Sequence, residues 1–220
     1  MKPRAGLGGK PSRPSRTAAS APQQVRIIGG LWKRTPLAVA DVPGLRPTPD
    51  RVRETLFNWL GQQLIGLRCL DLFAGSGALG LEAASRGASR VVLVEADRRA
   101  ARQIAQACAR LRAEQVTLLE ADAFAALERL SRAGERFDLV FLDPPFGQGL
   151  TEQVSAPLLP LLEPAARLYV EAEAPLARLP EGFVLERSAQ AGQVHYHLLA
   201  RCDRPARGGE DGERGSEEQN

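Results

Sequence analysis

Four acidic residues stand where this chain could do chemistry: Asp71, Glu95, Asp122 and Asp143. Asp71 opens the stretch Asp71-Leu72-Phe73-Ala74-Gly75-Ser76-Gly77-Ala78-Leu79-Gly80, whose glycines fit G-x-G-x-x-G, and Glu95 follows Gly75 by twenty residues. Taken alone, this spacing is the dinucleotide fingerprint. Asp71 argues for a different ligand, because a carboxylate beside the turn repels a pyrophosphate and attracts an amino or sulfonium centre. Glu95 and Asp122, each taken singly, read as solvated or helix-capping acids. Asp143-Pro144-Pro145-Phe146, taken singly, reads as a rigid turn with a packed phenylalanine. Their common placement is what carries weight, since each acid falls just after a segment of strand type.

Those segments define the elements that must hold the acids. Leu67–Leu70 is apolar and precedes the glycine turn, and residues 78–87 have helical composition. A strand, a glycine turn and a helix in that order form the first unit of an α/β sheet, and the helix start offers unpaired N–H groups. Arg90–Glu95 is a nearly continuous apolar strand, as parallel sheets require. A helix is expected over 97–111, a strand over 116–119, a helix over 122–130 and a strand over 137–142. A helix over 150–162, bent or ended by Pro157 and Pro160, and a strand over 166–172 follow. Segments 183–187 and 194–200 form a closing hairpin around 189–192, giving one antiparallel strand. The βαβ alternation predicts a doubly wound, mostly parallel sheet. Upstream, Val25–Ile28 and Gly29-Gly30 signal a strand and turn, with a return strand drawn from 31–34 and 37–39. Residues 42–49 are a proline-rich loop, and a helix opens at Thr48 or Asp50 with apolar residues at 52, 56, 59, 60 and 64.

The chain has 220 residues and a net charge of +3, enough for one α/β domain with tails. Residues 1–23 are rich in Pro, Gly, Ser and Arg and contain no acid, which predicts a disordered basic leader facing a polyanion. Residues 203–220 predict a disordered acidic tail, leaving 24–202 as the folded part, divided into 24–65 and 66–202. No apolar run is long enough to span a bilayer and no secretory signal is present, so a cytoplasmic protein without membrane partner is expected. Cys69, Cys108 and Cys202 have neither metal-ligand spacing nor a His in a matching motif, and read as reduced core residues with no metal site. His195 and His197 share one strand face and read as half-exposed. No spare apolar stripe calls for an oligomer, so a monomer is expected.

The glycine turn together with Asp143-Pro144-Pro145-Phe146 resembles motifs of the S-adenosylmethionine-dependent methyltransferases that modify exocyclic amino groups. The segments 26–30, 45–60, 71–80, 143–146 and 191–194 narrow the likeness: the chain resembles the bacterial RsmD family over about residues 25–200. The resemblance implies a class I, Rossmann-like methyltransferase with a seven-stranded sheet, extended at its N-terminus by a β-hairpin and helix. It implies methylation of the N2 amino group of a guanine in 16S ribosomal RNA, within an assembling small subunit. S-adenosyl-L-methionine would be the methyl donor and S-adenosyl-L-homocysteine the product.

By the same resemblance, Asp71, Phe73, Ala74, Gly75 and Gly77 hold the methionine part of the cofactor. Glu95 and Ala96 hold the ribose, and Asp122 and Ala123 the adenine. The Asp143 carboxylate and the Pro144 carbonyl would pull on the N–H groups of the target amine and aim its lone pair at the methyl. Pro144 and Pro145 would fix that carbonyl by locking φ, and Phe146 would stack on the base. Lys33, Arg34, Arg46, Thr48, Arg51 and Arg53 would contact RNA. Three other readings compete: an adenine-N6 or protein-glutamine methyltransferase, a nicotinamide-dependent oxidoreductase on the glycine turn, and a non-catalytic RNA-binding protein.

Overall fold

The computed structural model describes residues 24–42 and 48–202. The basic leader, the acidic tail and Arg46 lie outside the described residues. A short antiparallel pair, β1 (Gln24–Arg26) and β2 (Pro36–Ala38), is followed by α1 (Asp50–Leu60). Then come β3 (Arg68–Asp71), α2 (Ala78–Ser85), β4 (Arg90–Glu95), α3 (Arg98–Leu111), β5 (Val116–Glu120), α4 (Ala123–Arg132) and β6 (Phe137–Leu142). The chain continues through α5 (Leu150–Leu158), a 3-10 turn (Leu159–Leu161), β7 (Leu162–Ala172), β8 (Phe183–Ala191) and β9 (Val194–Arg201).

The main sheet has seven strands in the order β5-β4-β3-β6-β7-β9-β8, and β9 alone runs against the others. The strand order reverses between β3 and β6, which is where an open α/β sheet leaves a crevice at its strand C-termini. Alternating side chains supply two cores. Cys69, Val91, Leu93, Leu139, Phe141 and Tyr169 face α1, α2, α3 and the N-terminal hairpin. Leu70, Val92, Val94, Val140, Leu142 and Val170 face α4 and α5. At Gly80 the helix α2 comes so near β4 that a Cβ would lie 2.1 Å from Leu93 Cδ2, so close packing demands glycine there.

Several expectations need correction. Leu31–Arg34 is the hairpin turn rather than part of the return strand. It is pinned to the end of α2 by hydrogen bonds from Leu31 N to Ser85 O and from Trp32 N to Ser85 Oγ. The helix beginning at Leu150 stops at Leu158, tightens into the 3-10 turn, and β7 begins at Leu162. The closing hairpin turns through Gly192-Gln193 alone, and its one antiparallel strand, β9, sits between β7 and β8. His197 is buried, with Nδ1 3.0 Å from Ser188 Oγ. Among the described residues no helix is long and apolar enough to cross a membrane.

The buried carboxylate of Glu82, together with Ser85, gathers the extension's hydrogen bonds to α2. Glu82 of α2 is 0% exposed. It accepts from the backbone N–H groups of Ile28 at 2.6 Å and Gly29 at 2.7 Å, and from Arg86 Nε at 2.8 Å. Arg53 Nη1 lies 3.5 Å from its other oxygen. A buried charge with this many partners is tolerated only as a set, and removing one member leaves the others unpaired. Glu82→Ala is therefore expected to cost ~3–5 kcal/mol, read as a fall in the urea midpoint with unchanged m-value. A loss below 1 kcal/mol would contradict the central place given to this carboxylate.

Candidate active site

A cavity of about 1560 Å³ opens at the strand C-termini. One ligand pocket normally takes ~300–1,000 Å³, so this one has room for two molecules side by side. The glycine turn after β3, the ends of β4, β5, β6 and β7, and the β8–β9 turn form its walls. Asp71, Phe73, Ala74, Gly75, Glu95, Ala96, Asp122, Ala123 and the whole of Asp143–Phe146 line it. Gly77 does not. It caps α2 with φ +75°, and its backbone packs near Ile104 and Leu81.

Each acid is held by a distinct set of partners. Asp71 Oδ2 accepts from Gly80 N at 3.0 Å, while its buried Oδ1 has no hydrogen-bond partner within bonding geometry among the described residues. Burial first, and then the negative charges of Glu95 and Glu171, push the Asp71 carboxyl up to about 7 against the pull of the Gly80 and Phe73 amides. Glu95 accepts from Gly75 N and from Asp97 N, both at 2.7 Å, so the second strand end is tied directly to the glycine turn. Desolvation raises its carboxyl and those two amides oppose the rise. Asp122 caps α4, with Oδ1 accepting from Phe124 N and Ala125 N at 3.0 Å each, and it also lines the cavity. Capping and site lining are thus compatible at this residue.

The fourth acid is part of a cluster. Thr48 Oγ1 lies 3.2 Å from Asp143 Oδ2 and 2.9 Å from Glu171 Oε1, and the Tyr169 hydroxyl donates to the same Glu171 oxygen at 2.9 Å. A hydroxyl has one hydrogen, so Thr48 satisfies both contacts only when one carboxyl carries a proton. Burial, with the charges of Glu171 and Asp71, holds the Asp143 carboxyl well above the usual carboxylate range. Burial also raises Glu171, against the pull of the two hydroxyls and the Arg53 guanidinium. Phe146 and Phe124, 40% and 43% exposed, stand at the cavity wall as two accessible aromatic rings.

The residues expected to contact RNA divide. Lys33, Arg34 and Arg51 are exposed. Arg53 is 0% exposed and is corrected to a structural role: it donates to Arg26 O, Thr48 O and Asp50 and pairs with Glu82. Thr48 is buried in the acid cluster and lines the cavity. Sequence reasoning passed over Glu171 and Phe124. Glu171 did carry a signal, since Leu168-Tyr169-Val170-Glu171 ends an apolar strand with an acid just as Leu93-Val94-Glu95 does.

The family described as Conserved hypothetical protein 95 matches residues 25–200. The Ribosomal RNA small subunit methyltransferase D of Escherichia coli K12 is 45% identical over 186 residues, covering 81% of this chain and 90% of the relative. The chain belongs to the RsmD family. A solved structure, yhhF of E. coli, shares 43% identity with this RsmD member at a TM-score of 0.72, covering 83% of this chain and 100% of that one. At 17% identity and a TM-score of 0.57, an RNA methyltransferase from Salinibacter ruber in complex with S-adenosyl-L-homocysteine shares the fold, over 74% of this chain and 98% of that one.

Asp71 makes stability depend on pH. Its carboxyl titrates near 7 in the folded chain against an ordinary 3.8, so the folded state holds the proton that the unfolded state releases. Its stabilising contribution is complete below about pH 4 and disappears as pH rises through 7, a loss on the order of 4 kcal/mol. Asp71→Asn keeps an acceptor for Gly80 N and is expected to be the more stable protein at pH 8 but not at pH 4. Urea unfolding at both pH values checks this; equal slopes for the two proteins would refute it.

Proposed function

We propose that this chain transfers a methyl group from S-adenosyl-L-methionine to the exocyclic N2 amino group of a guanine in 16S ribosomal RNA. The carrying observation is that Asp143-Pro144-Pro145-Phe146 and the glycine turn after Asp71 line one cavity large enough for a cofactor and a base. The residues present fit the cofactor. The orphaned Asp71 Oδ1 wants a donor, which an ammonium group supplies. Glu95 keeps a spare lone pair on each oxygen for the two ribose hydroxyls, and Asp122 keeps Oδ2 for the adenine amino group. When bound, S-adenosyl-L-methionine supplies a methyl group activated by positive sulfur. No Lys or Arg lines the cavity among the described residues, so a pyrophosphate would meet acids without a counter-charge, which disfavours the nicotinamide reading.

The protein's own part is orientation. A nucleobase amine is a weak nucleophile because its lone pair is delocalised into the ring. Asp143 and the Pro144 carbonyl accept its two N–H bonds and free the lone pair, and Phe146 stacks on the base plane, worth ~1–3 kcal/mol. Proximity then supplies most of the acceleration. The N–C bond would form as the methyl–sulfur bond breaks, with the thioether product as leaving group, and one amine proton would pass to the ionised Asp143, whose raised affinity for a proton suits it to receive one. The base must leave its stack to enter. Residues 24–65 serve as the RNA-facing extension over a catalytic core of 66–202, with exposed Lys33, Arg34 and Arg51 meeting phosphates. The substrate is an assembling small subunit in the cytoplasm, and the enzyme acts as a monomer.

The test is methyl transfer from labelled S-adenosyl-L-methionine to small subunits from cells lacking this protein, followed by nucleoside separation. Label is expected in N2-methylguanosine, falling at least ~100-fold in Asp143→Ala with cofactor binding retained. Label in adenine or in a protein glutamine would overturn the substrate assignment. No transfer and no cofactor binding would overturn the activity.

A further inference from the structure

Glu171 has no part in the chemistry described above, yet it is built into the site with care. Leu142 of β6 and Val170 of β7 are partners in the parallel register, so the next rung pairs Asp143 with Glu171 on one face of the sheet. Asp71, opposite Phe141, lies on that face too. Glu171 is 3% exposed and lines the cavity. Both of its hydrogen-bond donors, Thr48 and Tyr169, go to Oε1, and Oε2 has no donor among the described residues. The Thr48 hydroxyl touches both carboxyls, which fixes their separation, and Arg53 is the cation behind Glu171.

When both are ionised, these carboxyls are two buried acceptors next to each other. A base that satisfies both must offer two adjacent donors, because a lone pair facing a buried carboxylate leaves both groups unsatisfied. The Watson–Crick edge of guanine has such a pair: N1–H beside the N2 amino group. Adenine and cytosine each carry an amino group beside a ring nitrogen that accepts. We infer that Glu171 is the residue that selects guanine, accepting N1–H through Oε2 while Asp143 and the Pro144 carbonyl hold the N2 amino group. The inference rests on the guanine reading of the same site and adds a specificity-determining residue to it.

The experiment uses small subunits reconstituted with 16S ribosomal RNA bearing guanine, 2,6-diaminopurine or 2-aminopurine at the methylated nucleotide. All three keep the 2-amino group; the two analogues replace N1–H by a lone pair and differ from each other at position 6. The wild-type enzyme is expected to prefer guanine over both analogues by ~10–100-fold in kcat/KM. In Glu171→Gln the amide can donate to the N1 lone pair, so guanine should lose rate, the analogues should gain, and the ratio should narrow at least ~10-fold. A binding readout is independent of turnover: with S-adenosyl-L-homocysteine present, 2-aminopurine fluorescence should report tighter binding of the analogue RNA by the variant than by the wild type. Wild-type rates on the analogues within ~3-fold of guanine would overturn the inference without any variant. So would an unchanged ratio in a Glu171→Gln protein of normal unfolding temperature. No methylation of guanine by the wild type would overturn the function reading itself and the inference with it.

Discussion

The Glu82 carboxylate is the point on which the arrangement of this molecule depends. It sits on α2, the helix that follows the glycine turn, and it cannot stay charged in the interior without donors. The donors are two hairpin amides and Arg86 one helical turn on, and Arg53 of α1 adds an ion pair at 3.5 Å. Arg53 in turn donates to the carbonyl of Thr48 at 3.3 Å. The hydroxyl of that same threonine bridges Asp143 and Glu171. A single polar chain therefore runs from α2 through α1 to the acids at the ends of β6 and β7. The extension does more than add surface to the sheet, since it sets the donor that holds the site's two central carboxyls in register.

The site is acidic although the chain is weakly basic, and the two facts belong to different scales. Net charge acts at long range and favours a polyanionic partner. Inside the cavity, burial raises each of Asp71, Glu95, Asp143 and Glu171 above its ordinary range, and the neighbouring negative charges add to the rise at Asp71 and Asp143. Such a cluster favours ligands that arrive as cations or as arrays of N–H donors. A sulfonium cofactor with an ammonium group and a base edge rich in N–H bonds both fit that description, whereas phosphate belongs outside.

Much of this was legible in the sequence. Short, nearly continuous apolar runs ending in Asp71, Glu95 and Asp143 marked the strands and their C-terminal ends together, and Asp122 declared its helix through its capping position. Errors arose wherever a residue's environment is set by distant partners. Arg53 reads as a surface arginine on an amphipathic helix; only the fold brings Glu82 beside it and makes burial tolerable. Thr48 reads as a loop hydroxyl at a helix start, because its acceptors are 95 and 123 positions away. His197 reads as half-exposed on a strand of period two, but β9 is flanked on both sides and its neighbours cover the ring. Leu31–Arg34 reads as strand, and is turned instead by bonds to Ser85 of α2.

Glu171 separates the two kinds of legibility. Its local signal was the same as that of Glu95, an acid closing an apolar strand, yet a lone acid at the end of the fifth parallel strand has no assigned task in a general cofactor-binding sheet. Its task follows from register. Because β6 and β7 are parallel neighbours and paired residues in a sheet face the same side, the acid after β6 and the acid ending β7 must share one side. Placing two carboxyls there costs desolvation and mutual repulsion, which Thr48, Tyr169 and Arg53 offset only in part. A fold that needed only a methyl-acceptor clamp could leave Glu171 apolar like Val170 beside it. Retaining the acid makes sense when the incoming base brings the missing donors, so the free site is strained by charge and the occupied one is relieved by a guanine edge.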